Sequence, residues 1–295
     1  MTTLSAPAIA PVPGPARPSG ESHRGGSSRA AYIVLTAGLV VMVGPFLWMI
    51  LGSLKPAADF LRNPPTFLPS QATTDNYSRL FQQLDFPRFF FNSAVIALAV
   101  TVGTLVFCPM LGYALAKLRW HGKGVIMGLV LATLMVPAGI TLIPNFILMS
   151  NLGLVNTYPG LILPFLAGPF GVFLMRQFML GVPDELLEAA RIDGANEFKV
   201  FWSVVMPIAT PVLATLAILT FLGNWNSFLY PLVMAQAPGK YTLPVALATF
   251  ATGQYQADHG MLMAGSVVLV VPVLIVFVLF QRWITEGIAT TGLKG

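Results

Sequence analysis

The sequence predicts an all-α polytopic membrane protein, with six transmembrane helices and a cytoplasmic two-helix loop. Three observations lead there. Only 9% of the 295 residues are charged, 56% are hydrophobic and the mean hydropathy is +0.76. An ordinary soluble domain carries about 25% charged residues and needs that surface to stay in solution, which excludes a soluble enzyme. Six apolar runs follow one another, each near the roughly 20 residues that a bilayer-spanning helix requires. The alternating segments of roughly ten residues that build an outer-membrane barrel are absent.

The elements follow in order. Residues 1–29 are rich in Pro, Ala, Gly and Ser, carry Arg17, Arg24 and Arg29, and hold almost no large apolar side chain. Such a composition cannot bury enough surface to fold and predicts a disordered cytoplasmic tail. It is no signal peptide, because the apolar stretch after it is too long and lacks a cleavage site. The spans are expected at 30–54, 89–118, 125–150, 158–180, 207–235 and 261–283. Residues 30–88 thus hold the first span and an outer loop. Residues 89–283 hold five further spans and the loop 181–206, and 284–295 form a cytoplasmic C-terminal tail. Lys and Arg concentrate on the cytoplasmic side of a membrane. One set of loops holds 11 of them (Arg17, Arg24, Arg29, Lys117, Arg119, Lys123, Arg176, Arg191, Lys199, Arg282 and Lys294). The other holds five: Lys55, Arg62, Arg79, Arg88 and Lys240. Both termini are therefore expected inside.

The loops differ in character. Residues 55–88 carry five prolines and are expected to be partly ordered on the outer surface. The outer loop 236–260 holds Tyr241, Gln254, Tyr255 and the adjacent Asp258-His259, read as solvated turn residues. Cys108 lies alone in an apolar run, which excludes disulfide scaffolds and thiolate metal sites and marks it as a packing residue. His23, His121 and His259 are far apart, without ligand spacing, so no metal site is expected. The formal charge of +5 is scattered over short loops with no basic, aromatic-interleaved stripe, so no nucleic-acid partner is expected.

The segment 181–206 is the informative one. Pro183 suits a first helical position, and Asp184 and Glu185 complement the positive end of a helix. The helix runs to Ile192 and meets Asp193-Gly194, where a glycine can adopt the left-handed conformation that turns the chain. A second helix places Phe198, Phe201, Trp202 and Val205 at i, i+3, i+4 and i+7, one aromatic stripe suited to the bilayer or the bundle. Ala189, Ala190 and Ala195 flank the elbow and would let another protein approach closely.

Glu188-Ala189-Ala190, Asp193-Gly194-Ala195 and Pro207 together resemble the EAA loop of ABC-importer permeases. Gln177-Phe178-Met179, Pro183-Asp184-Glu185, Trp225-Asn226 with Phe228-Leu229 and Pro231-Leu232, Asn76-Tyr77 and the C-terminal Glu286-Gly287 and Gly292-Leu293-Lys294-Gly295 are similar to the carbohydrate-uptake branch. Within that branch the chain looks most like the smaller maltose-transporter permease. The resemblance covers nearly the whole chain after residue 30. It implies a heterodimer with a second homologous permease, two copies of a cytoplasmic ABC ATPase, and an extracytoplasmic solute-binding protein. All would meet in a bacterial cytoplasmic membrane. It also implies that Glu188, Ala189, Ala190, Asp193, Gly194 and Ala195 belong to the ATPase contact. No G-x-x-x-x-G-K-[ST] occurs, so this chain is expected to bind no cofactor, with ATP and Mg held by the partner ATPase.

No Asp, Glu, Lys or Arg lies deep within a span, which disfavours an ion-coupled secondary carrier. The polar residues in spans are neutral: Asn145 in the third, and Asn224, Trp225, Asn226 and Ser227 in the fifth. Pro137, Gly139 and Pro144 break the third helix nearby, as is tolerated where backbone lines a cavity. Amides bond hydroxyls and an indole covers the apolar face of a sugar ring, so Asn145, Asn224, Trp225 and Asn226 are expected along a path for a neutral mono- or oligosaccharide. The competing role is bonding between helices. An anionic solute such as glycerol phosphate, or an amino-sugar derivative, is the alternative. A membrane enzyme would need a catalytic constellation, and the sequence offers only the pair Asp258-His259.

The count of basic residues yields a direct test of orientation. Cysteine tags at Ser70 and Gln254 are expected to react from outside, and a tag at Asn196 only from inside; the reverse pattern would overturn the assignment.

Overall fold

The computed structural model describes residues 26–252 and 258–292, and all regular structure among them is helical. Most of the expected N-terminal tail and the last three residues of the C-terminal one lie outside these residues, as do Gln254 and Tyr255. The chain divides into two units between Leu47 and Trp48. Helix α1 (Gly26–Ser53) supplies the described part of the first with its residues 26–47, and its last residues, 48–53, belong to the second. Along it Tyr32, Val34, Leu39 and Met42 are 69, 70, 61 and 76% exposed. An apolar surface on every side suits a helix whose solvent is hydrocarbon.

After the end of α1 the second unit holds two short helices, α2 (Ala57–Phe60) and α3 (Asp75–Gln83). A long α4 (Phe86–Ala116) follows, then α5 (Lys123–Met135) and α6 (Ala138–Asn151). Next come α7 (Tyr158–Ile162), a 3-10 turn at Leu163–Phe165 and α8 (Pro169–Leu180). The chain continues through α9 (Asp184–Ile192), α10 (Glu197–Ile208), α11 (Thr210–Trp225) and α12 (Leu229–Met234). It ends in α13 (Leu243–Thr252) and α14 (His259–Gly292). Among the described residues four stretches are long and apolar enough to cross a membrane, and counting each of two bent pairs, α5–α6 and α10–α11, as one span brings the number to six.

The two bends correct the expectation of simple spans. The third span turns by 113° between α5 and α6. A proline drives the residue before it out of the helical region. Val136 is accordingly extended (φ −81°, ψ 120°), as is Pro137 (φ −60°, ψ 134°). Pro144, expected to break the helix as well, is accommodated inside α6. The expected fifth span, 207–235, is three pieces: α10 turns into α11 by 79° at Ala209, and α11 stops at Trp225, six residues short of Pro231. At about 1.5 Å per residue, the 16 residues of α11 reach about 24 Å.

Helix α4 is the common wall of the bundle. Its N-terminal end joins a core with Leu80, Trp225, Leu243, Phe250 and Met261. Its middle, at Ile96 and Val100, packs with Met149, Leu161, Tyr230 and Met234. Its C-terminal end, from Cys108 to Leu115, packs with Val172, Met175, Met179, Leu187, Val200, Phe201 and Leu216. Small residues allow α4 and α8 to meet this closely. A Cβ on Gly112 would lie 2.8 Å from the Met175 Cβ and 2.9 Å from the Arg176 backbone nitrogen. Cys108, fully buried, packs where a Cβ on Gly171 would come within 2.7 Å of its sulfur.

The loops expected on the outer face are more ordered than their composition suggests. Asp59 accepts hydrogen bonds from the Ser70 amide at 2.7 Å and the Ser70 hydroxyl at 2.8 Å. Asn76, buried, donates at 2.8 Å to the carbonyls of Ser53 and Lys55, closing the end of α1. Asp258, expected in a solvated turn, instead pairs with Arg79 and accepts from the Met261 amide at 3.0 Å, which caps α14. Within the expected loop 236–260, α13 buries Leu243, Val245, Ala246, Leu247 and Phe250.

Gly112→Val is expected to destabilise the purified protein by about 1–3 kcal/mol, as overpacking a tight contact does, seen as a lower melting temperature in detergent. Gly128→Ala, whose Cβ meets nothing within 4 Å, is the control and should leave it unchanged.

Candidate functional site

The loop 181–206 folds into two helices, α9 and the start of α10, joined by a turn at Gly194. Gly194 has φ +83°, the left-handed region that glycine enters without strain. The Gly194 amide donates to the Arg191 carbonyl and the Ala195 amide to the Ala190 carbonyl, both at 3.0 Å. That pair of bonds, with a left-handed residue between, is the Schellman closure of a helix, which satisfies carbonyls that the helix itself leaves open. Asn196 starts the second helix by accepting the Lys199 amide at 2.9 Å.

The six residues expected at the elbow divide by exposure. Ala190 and Ala195 are half-buried and pack on the core that holds Met175, Leu187 and Phe201. Glu188, Ala189, Asp193 and Gly194 are exposed. Leu186, Ile192 and Phe198 join them, Ile192 at 86% exposure and Phe198 at 67%. Sequence reasoning passed over Leu186 and Ile192; their signal was large apolar side chains in a helix otherwise rich in charge. The aromatic stripe divides too. Phe201 and Val205 turn inward while Phe198 and Trp202 stay exposed, with a π turn over Phe201–Val205.

The elbow is tied down by residues to which the sequence reading gave no role. At the end of α4 the Tyr113 hydroxyl donates to Glu197 Oε2 at 2.7 Å. Arg191 Nε donates to Glu197 Oε1, also at 2.7 Å. One turn further along α4, Lys117 Nζ donates at 2.6 Å to the Val182 carbonyl and to Asp184 Oδ1. The Lys117 side chain is only 7% exposed, so its charge is held by these two oxygens. Hydrogen bonding and charge from Lys117 hold the Asp184 carboxyl below its ordinary value. The Arg191 guanidinium, then the Tyr113 hydroxyl, do the same for Glu197. Glu188 lines a polar cleft of about 370 Å3 with Lys117, Arg119, Asp184, Arg191 and Glu197.

The four residues expected along a solute path are not brought together. Asn145, half-buried on α6, lines a cavity of about 360 Å3 with Thr141, Phe165, Ser227, Phe228 and Tyr230. The cavity therefore sits beside the break after Trp225. Asn224 and Asn226 turn their amides back to the Thr220 and Leu222 carbonyls of their own helix, at 2.8 and 2.9 Å. Trp225 offers no face to a solute. It is 2% exposed, donates from Nε1 to the Leu269 carbonyl at 3.0 Å, and stacks on Phe221. Tyr230 spends its hydroxyl on the Gly160 carbonyl at 2.7 Å and sets its ring edge against Phe165. Among the described residues no charged side chain lines this cavity. Among the described residues no cluster of His, Cys, Asp or Glu could hold a metal ion.

Residues 108–290 match the family described as "binding-protein-dependent transport system inner membrane component". The chain is 42% identical over 258 residues to an arabinooligosaccharides transport system permease protein of Halalkalibacterium halodurans, covering 86% of this chain and 92% of that one. It is 34% identical over 262 residues to a diacetylchitobiose uptake system permease protein of Streptomyces coelicolor, covering 88% and 86%. A crystallised bacterial ABC transporter that imports the acidic polysaccharide alginate contains a chain with the same fold. Its TM-score is 0.79 at 26% identity, covering 90% of this chain and 99% of that one.

The carboxylate ties of the elbow have a defined pH range. Asp184 and Glu197 titrate, in the folded chain, below their ordinary values of 3.8 and 4.5. Their contribution is complete above those values and is lost as pH falls through the lowered ones. Amide exchange across 184–200, corrected for intrinsic rate, is expected to stay flat from about pH 8 to pH 5 and to rise only under stronger acid; loosening centred near neutrality would contradict this.

Proposed function

The chain belongs to the binding-protein-dependent transport system inner membrane component family, and from that premise we propose how it divides the work of uptake. It is a multi-pass permease subunit of a carbohydrate ABC importer, not an enzyme in its own right. In this reading it pairs with a second permease, and two copies of a cytoplasmic ATPase power the pair. A binding protein delivers solute from outside. The chain lies in a bacterial cytoplasmic membrane with both termini inside.

The observation that carries the reading is the elbow at Gly194. Its turn is closed by backbone bonds, its helices are anchored to α4, and its tip presents Ala189, Asp193, Ile192 and Phe198 to the outside. Exposed apolar side chains on a rigid projection are the mark of a docking surface. Glu188, Ala189, Asp193 and Gly194 are proposed as the part that touches the ATPase, with Ala190 and Ala195 setting the close packing behind it. ATP and Mg stay with that partner.

The solute is proposed to be a neutral mono- or oligosaccharide. The Asn145 cavity supports this choice, because amide, hydroxyl and aromatic groups suit a sugar ring and no charged group is present to receive an anion. Its volume of about 360 Å3 falls in the range of about 300–1,000 Å3 typical of small-ligand sites. Of the residues first expected along the path, Asn145 carries this part of the proposal.

Gly194→Val is expected to abolish uptake by detaching the ATPase while the two permeases still pair. A left-handed backbone costs a non-glycine residue about 1 kcal/mol, and more when β-branched. A Cβ there meets nothing within 4 Å, so the effect is conformational and not a clash. Glu188→Ala should be milder, since the turn survives. Pull-down of the ATPase subunit and solute uptake, measured in the same cells, decide the matter; full binding and full uptake in Gly194→Val would reduce the loop to a connector.

A further inference from the structure

Helix α4 grips the elbow at two points on one of its faces, through Tyr113 and, four residues later, Lys117. Lys117 holds the start of α9 at Asp184 and the Val182 carbonyl. Tyr113 holds the start of α10 at Glu197. Arg191, in the last turn of α9, reaches across the Gly194 turn with Nε to Glu197 Oε1 at 2.7 Å and with Nη2 to Oε2 at 3.3 Å. Two helices braced to each other and pinned separately to a third form a triangle that cannot fold without breaking a charge-assisted bond. The Tyr113 ring, 4% exposed and packed 5.5 Å from the Phe201 ring, is itself fixed. It sits on the helix that forms a wall of all three cores of the bundle.

We propose that the Tyr113–Glu197–Arg191 network is the relay through which displacement of the elbow reaches α4 and so the solute path. The proposal rests on the reading of the elbow as the ATPase contact, and it assigns positioning roles to residues outside the docking surface. Coupling between distant sites needs contiguous groups that move as a unit. Glu197 fits that description because its two oxygens receive groups from two different elements. Lys117 anchors the same triangle at its other foot, but Asp184 is mostly exposed and water can replace it. The bond from Tyr113 is the one that ties α4 to Glu197 and, through Glu197, to Arg191.

The test uses the complete transporter in liposomes, with its binding protein and solute, and measures solute taken up per ATP hydrolysed. Tyr113→Phe keeps the ring and its packing and removes only the hydroxyl. The expected result is a fall of fivefold or more in solute moved per ATP, with the ATPase subunits still co-purifying and an unchanged melting temperature. Glu197→Gln retains an acceptor for Tyr113 and should give an intermediate loss. The double variant should be no worse than Tyr113→Phe, since both act on one link. An unchanged ratio in Tyr113→Phe, or losses that add in the double variant, would overturn the relay. So would loss of the ATPase from Tyr113→Phe, because the network would then only shape the docking surface. Failure of the underlying reading is distinguishable, since it appears as ATPase retained by Gly194→Val whatever Tyr113→Phe does.

Discussion

Hydrocarbon offers no partner to a backbone N–H or C=O, and that constraint organises this molecule more than any side-chain interaction. It confines the chain to helices and requires that each interruption be backed by protein. The two bent spans obey it. Val136 and Pro137 turn the third span beside residues that line the Asn145 cavity, and the fifth stops at Trp225, whose indole bonds the Leu269 carbonyl of α14. The same constraint makes small residues valuable. With no water to expel between helices, close approach supplies the packing, and Gly112 and Gly171 bring α4 and α8 into contact.

This explains which parts of the architecture were legible in the sequence. Apolar length identifies spans well, because lipid accepts nothing else of that length, and α1, α4, Tyr158–Leu180 and α14 fall close to their expected positions. Where a span is interrupted, apolar length misleads. The run 207–235 is apolar over most of its length, yet its proline at 211 begins a new helix and its asparagine at 226 ends it. Helix α13 escaped notice because ten residues are too few to cross a membrane, and a short buried helix in an outer loop has no distinctive composition. Asp258 was misread for a similar reason. Its partner Arg79 is 179 residues away in the chain, and no local pattern announces such a pair.

The candidate site was legible in the same uneven way. The glycine turn could be read from Asp193-Gly194-Ala195, since a left-handed position leaves a local trace. The anchors Tyr113, Lys117, Arg191 and Glu197 could not, because each is an ordinary residue until the fold brings α4 against the elbow. Trp225 shows the opposite error. A tryptophan between two asparagines suggests a sugar platform, but its size makes it worth more as core, and it is among the largest fully buried side chains. Asn145 stood out as a neutral polar residue within a span, and it lines a cavity with residues near the break in the fifth span.

The central claim is that the exposed tip of the elbow seats in the ATPase subunit, and a site-specific cross-link tests it most directly. Cys108 is fully buried, so one introduced thiol can carry a photoreactive probe without interference. Attached at Ala189→Cys in a complex that still transports, the probe is predicted to join this chain to the ATPase subunit. The same probe at Phe67, in the loop expected on the opposite face, should not. A transporting complex in which Ala189 yields no ATPase adduct, or in which Phe67 yields one, would contradict the account.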